Sequence, residues 1–151
     1  LSLSLSLSLS LSLSLSFFQY IIHNKEFRAF VHEKRLTGIT QYNEFIYFPH
    51  MVSQKEIIAA KIRAFVENEI VPLFVNMKSY VLDLALAYPR GEGDDYKVWV
   101  VEVNPLAEFA GTGLFSWLED WQIILGEKPF EFRTHLVSFC PLPLSSNHLL
   151  F

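Results

Sequence analysis

The chain has 151 residues, 51% of them hydrophobic, and a formal net charge of −4. That much apolar side chain suffices for the core of one domain, whereas the acidic balance excludes the basic face that nonspecific nucleic-acid binding requires. A single cysteine, Cys140, excludes an internal disulfide framework and suits a reducing, cytoplasmic compartment.

Residues 1–16 are a strict Leu-Ser repeat. It has no basic leader and no small-residue cleavage site, and it carries too much serine to span a bilayer, so neither a signal peptide nor a membrane helix fits and no membrane partner is expected. A CT dinucleotide repeat translates as alternating Leu and Ser. With no initiator Met, the tract reads as the product of a truncated or misassembled gene, disordered or aggregation-prone if made.

Two strands follow, Lys25 to Val31 and Leu36 to Tyr42, joined over the polar turn His32-Glu-Lys-Arg. In the first, Glu26 and Arg28 share a face. Ile57, Ile58, Ile62, Phe65, Val66 and Ile70 recur at helical spacing, which predicts one amphipathic helix over Gln54 to Val71. Ser53 with Glu56 has the form of a capping box at its start, and Pro72 ends it.

The next two strands carry the chemistry. Val81-Leu-Asp83-Leu-Ala-Leu-Ala and Val98-Trp-Val-Val-Glu102-Val-Asn104-Pro are apolar except for Asp83, Glu102 and Asn104. Between them, Tyr88 to Tyr96 is rich in Pro, Gly and Asp and reads as a hairpin loop, so the strands are antiparallel neighbours. Alternation puts Glu102 and Asn104 on one face with Val98 and Val100, and leaves Trp99, Val101 and Val103 on the other. Asp83 joins the polar face if it lies opposite Glu102 or opposite Asn104; a one-residue slip would separate the three.

A buried carboxylate is costly unless a charge, hydrogen bonds or a metal relieves it. Two acids and an amide oxygen on one face suit a hard divalent cation, and magnesium in particular keeps room for water and substrate phosphates. The alternative is that Asp83 and Glu102 face solvent or pair with Arg28 or Arg63. Gly111-Thr-Gly113 reads as a turn with phosphate-accessible N–H groups or as a simple loop, and Arg133 as a second phosphate cation or as a surface ion pair. Gln41 and Tyr42 flank a cleft or simply end a strand. The five histidines have no ligand spacing, so no zinc or iron site is expected.

Lys25-Glu-Phe-Arg28-Ala-Phe-Val, Leu36-Thr-Gly-Ile-Thr-Gln41-Tyr42, the Asp83 strand, Val101-Glu102-Val-Asn104-Pro105 and Gly111-Thr-Gly-Leu-Phe-Ser-Trp117 together resemble the C-terminal half of an ATP-grasp domain. The branch is similar to the cell division cycle protein 123 family and its relatives, a clade named for two arginines and a lysine. The resemblance runs from about Tyr20 to Arg133. It implies an α+β fold, the C-terminal lobe of an ATP-grasp domain, with an antiparallel sheet, packed helices and the N-terminal lobe absent. The chain then divides into the repeat (1–16), a partial ATP-grasp domain (17–133) and an irregular tail (134–151).

The same resemblance implies the cofactors ATP and Mg2+, with Asp83, Glu102 and Asn104 as metal ligands. Arg28 is implied as a catalytic and cofactor-binding cation near the phosphates. For the full-length protein it implies an ATP-dependent carboxylate–amine ligase with an unidentified acceptor. The alternatives are an ATP-binding assembly chaperone, for a complex such as a translation initiation factor, or a nonfunctional fragment.

Overall fold

A computed structural model describes residues 25–87 and 97–136. The Leu-Ser repeat, the loop expected between the two acidic strands, Cys140 and most of the tail lie outside these residues.

The elements are β1 (Glu26–His32), β2 (Arg35–Gln41), α1 (Pro49–Ser53), α2 (Lys55–Phe65), β3 (Tyr80–Ala87), β4 (Lys97–Pro105), α3 (Trp121–Ile124) and β5 (Glu131–Arg133). The strands form one sheet in the order β4-β3-β1-β2-β5. Neighbours are antiparallel except that β5 runs parallel to β2, so the sheet is mixed, not wholly antiparallel as the sequence led one to expect. The difference arises because β5 reaches the sheet edge only after the long segment that contains α3. A hairpin connection would have imposed the antiparallel direction.

Each sheet face packs a different layer. On one, Phe27, Ala29, Ile39, Leu82, Leu84, Leu86 and Val98 meet Ile58, Ile62 and Val66 of the helical layer. On the other, Phe30 and Val81 meet Phe115, Ile123 and Ile124. Burial of these aliphatic and aromatic side chains, each contributing on the order of 1.5–3 kcal/mol, is the main force assembling the layers.

The predicted helix is present, with two changes. Its last turns, Val66–Ile70, widen into a π-helical segment that keeps Val66 and Ile70 facing the core. At its start, Pro49 nucleates the short helix α1, so Ser53 closes that helix and makes no cap. Its hydroxyl instead donates to the His50 carbonyl.

The β1–β2 turn places Glu33 and Lys34 at φ +47° and +62°, two left-handed residues in succession, as a tight hairpin turn matched to strand twist demands. The β3–β4 register contains a bulge: Asp83 lies opposite Glu102, yet Leu84 lies opposite Val100, leaving Val101 as the extra residue. The bulge reverses the faces expected for the first half of β4. Val98 packs in the helix-side core with Leu86, and Trp99, paired with Ala85, shares the face of Asp83.

Candidate functional site

The registers align one residue from every strand into a row across the sheet. Glu102 is opposite Asp83, Asp83 opposite Arg28, Arg28 opposite Thr40 and Thr40 opposite Arg133. Cross-strand partners point to the same face, so Glu102, Asp83, Arg28, Thr40 and Arg133 run side by side from one sheet edge to the other. Asn104, opposite Val81, lies two residues from Glu102 on that same face. All four expected site residues, Arg28, Asp83, Glu102 and Asn104, therefore share one side of the sheet.

Asp83 is 4% exposed, and Arg28 relieves the cost of burying its charge. Arg28 Nε and Nη2 donate to the two Asp83 carboxylate oxygens at 2.8 Å each, a bidentate fork. A third donor, Nη1, reaches the Gly111 carbonyl at 2.7 Å. The hydrogen bonds to Asp83, reinforced by the charges of Asp83 and Glu102, hold the Arg28 pKa above its ordinary value against the opposing effect of burial. Of the two readings of Asp83, the ion pair with Arg28 is formed. Arg63 turns elsewhere, to Glu67 and the Phe130 ring.

Glu102 is exposed and makes no hydrogen bond or ion pair with another described residue. Among the described residues no three His, Cys, Asp or Glu side chains cluster as a metal cage. The donor set nevertheless fits a hard cation. It comprises two adjacent carboxylates and an amide oxygen, and each Asp83 oxygen retains a lone pair beyond its bond to Arg28.

At the far end of the row, Arg133 grips Asp120 through two hydrogen bonds of 2.7 and 2.8 Å, and it also donates to Glu131 and to the Leu114 carbonyl. It lies over the Phe115 ring at 4.2 Å. Arg133 is thus an internal clasp on the 111–120 segment. Thr40, not singled out from the sequence, receives the Leu114 N–H on its hydroxyl at 3.1 Å. Gly113, at φ +58°, packs so closely on Thr40 that a β-carbon would fall 2.7 Å from its methyl group. The Gly111–Gly113 segment is therefore a turn fixed to the sheet face.

Between that turn and the segment Tyr42–Phe45 lies a cavity of ~610 Å³, with Glu26 and Arg28 on its wall. A smaller recess lined by Asp83 and Glu102 shares Glu26 and Tyr42 with it, so the two are adjacent. Tyr42 does flank the cleft, with the Arg28 guanidinium 5.1 Å from its ring centre. Gln41 is structural: its amide donates to the carbonyls of Asn43 and Ile46 and accepts from His135 N–H. The contribution of Asn43 to Phe45 escaped the sequence because nothing in that stretch has motif spacing. Thr40 was not recoverable from the hairpin either: regular pairing across the 33–34 turn would set Ile39 opposite Arg28, and a bulge next to Phe30 and Val31 brings Thr40 there instead.

Residues 4–138 match the D123 family. The chain belongs to the D123 family. It is similar to the "Translation initiation factor eIF2 assembly protein" of Xenopus laevis, 34% identical over 66% of this chain and 27% of that protein. The protein of the same name from Vanderwaltozyma polyspora is 30% identical over 62% of this chain and 24% of its own length. This D123 chain thus spans about a quarter of the length of the curated relatives it matches.

Among solved structures, Cdc123 from Schizosaccharomyces pombe superimposes with a TM-score of 0.58 and 22% identity, covering 74% of this chain and 42% of that one. Its C-terminally truncated form gives 0.56 at the same identity. The fold is accordingly that of part of Cdc123. These relatives also correct one expectation. They are named as assembly proteins for an initiation factor, and the carboxylate–amine ligase expected for the full-length protein does not hold.

Proposed function

We propose that this D123 chain contributes the metal- and phosphate-facing side of an ATP site in an assembly factor for a translation initiation complex. The observation that carries the reading is the row Glu102–Asp83–Arg28, two acids and a cation side by side on one sheet face, with Asn104 beside them. The names of the relatives supply the partner, the eIF2 complex, and the resemblance to ATP-grasp domains supplies the ligand.

In this reading Asp83, Glu102 and Asn104 hold magnesium, which when bound neutralises phosphate charge. Arg28 has two functions. It aims the Asp83 carboxylate toward the cation's position, and it presents its two remaining N–H donors to a phosphate oxygen. ATP then acts by ordering a surface that grips the protein partner, and the site retains its nucleotide.

The test is binding of purified eIF2 subunits to the full-length protein with and without Mg–ATP, with ADP release followed in parallel. The reading predicts tighter subunit capture with Mg–ATP and negligible ADP formation. Capture indifferent to nucleotide, or steady turnover, would contradict it.

A further inference from the structure

Arg28 connects two regions that no other side chain described above joins directly. On one side it occupies both oxygens of Asp83; on the other it holds the Gly111 carbonyl, the first residue of the turn that walls the larger cavity. The link has no slack, because a β-carbon at Gly111 would lie 2.9 Å from Arg28 Nη1. The other end of the turn is anchored separately. Leu114 donates to Thr40 and accepts from Arg133, which is itself fixed by Asp120.

We propose that a divalent cation held by Asp83 and Glu102 is sensed by the 111–113 turn through Arg28, so that cation occupancy sets the shape of the cavity between this turn and Tyr42–Phe45. The proposal rests on the reading of Asp83 and Glu102 as cation ligands and adds to it a route by which the site is regulated. Glu102 makes no hydrogen bond or ion pair with another described residue, and Asp83 opposite it is the buried acid, so a cation settling beside Glu102 draws its buried ligand oxygen from Asp83. Arg28 already uses both Asp83 oxygens, and a dication within a few ångströms repels the guanidinium strongly in a partly desolvated setting. The fork loosens, Arg28 shifts, and Gly111 moves with it. Leu114 stays fixed, so the turn pivots about that residue and the 111–113 end changes its distance from the Tyr42–Phe45 wall.

Glycine is a convenient reporter because the chain contains only six. Gly111 and Gly113 lie in the turn, while Gly38 in β2 and Gly126 just after α3 lie away from it. The intact protein labelled with 15N-glycine is titrated with magnesium chloride alone, and magnesium binding is measured in parallel by calorimetry. The Gly111 and Gly113 amide signals should move along a saturating curve with the calorimetric midpoint, and Gly126 should not. Arg28→Lys, whose single ammonium cannot span Asp83 and Gly111 together, should show both signals displaced toward the magnesium-loaded positions before any metal is added, with little further movement afterwards. Glu102→Gln alters an exposed side chain that makes no hydrogen bond or ion pair with another described residue, so it keeps the fold, and it should abolish the magnesium-induced shifts.

Magnesium heat with Gly111 and Gly113 unmoved would overturn the coupling and leave the cation site standing. Full-sized shifts in Arg28→Lys would do the same. No magnesium heat in the wild-type protein would overturn the cation site and the coupling together.

Discussion

Asp83 illustrates how a residue type in the wrong place carries information. An acid in the middle of an apolar strand must have a partner, and it is found in Arg28, one strand away. Alternation along β4 put Glu102 and Asn104 on one face, but Asp83 joins them only through the register, which sets it opposite Glu102. It could not show that Arg28 grasps Asp83 directly, since strand order is a tertiary fact. Tyr80 poses the opposite case. It is fully buried against Phe74, and its hydroxyl has no hydrogen-bond partner among the described residues. Burial alone raises its pKa. An unsatisfied buried hydroxyl costs free energy that a phenyl ring of the same shape does not. Tyr80→Phe is therefore predicted to stabilise the fold by up to about 1 kcal/mol, read as a higher urea midpoint at unchanged slope.

Among the elements, periodicity located the strands and the helix well, because each has one face that must be buried. It failed at β4, where the bulge at Val101 exchanges the faces of Val98 and Trp99; a single extra residue leaves no mark in composition. It also missed β5 altogether, a three-residue strand whose parallel pairing with β2 depends on the path of the 106–130 segment. That segment is held by two local devices that can be tested separately. Gly113→Ala would force an L side chain to φ +58° and into the Thr40 methyl, and should cost roughly 2 kcal/mol. Faster amide exchange at Leu114, whose N–H bonds to Thr40, would localise the damage.

The second device is the Asp120–Arg133 clasp. Hydrogen bonds from Arg133, aided by the Ser116 N–H, lower the Asp120 pKa below the usual 3.8 despite the opposing effect of burial. A depressed folded-state pKa gives a stabilising contribution that is complete above 3.8 and is lost as the pH falls through the lower folded value. Asp120→Asn should thus be less stable than wild type at neutral pH. The difference between the two should shrink only on the acid side of 3.8, as chemical denaturation at a series of pH values would show.

For the whole molecule, one mixed sheet carries a helical layer on one face and a polar row on the other, with the 111–120 segment clasped over the row's Arg133 end at the sheet edge. No described helix is long and apolar enough to cross a membrane. The sequence resemblance found the correct family and the α+β class. It misjudged the reaction, because a shared fold does not specify a chemistry. Strand register alone brings Arg28, Asp83, Glu102 and Asn104 to one face of the sheet. Asp83 is a poor probe of the cation reading, since replacing it also strands the Arg28 charge. Glu102 is the cleaner one, being exposed and making no hydrogen bond or ion pair with another described residue. The most direct measurement is calorimetric ATP binding to the full-length protein with and without magnesium, wild type against Glu102→Gln. The account predicts magnesium-dependent affinity in the wild type and a loss of at least about tenfold, or 1.4 kcal/mol, in the variant. Equal magnesium-dependent affinity in the two proteins would contradict it.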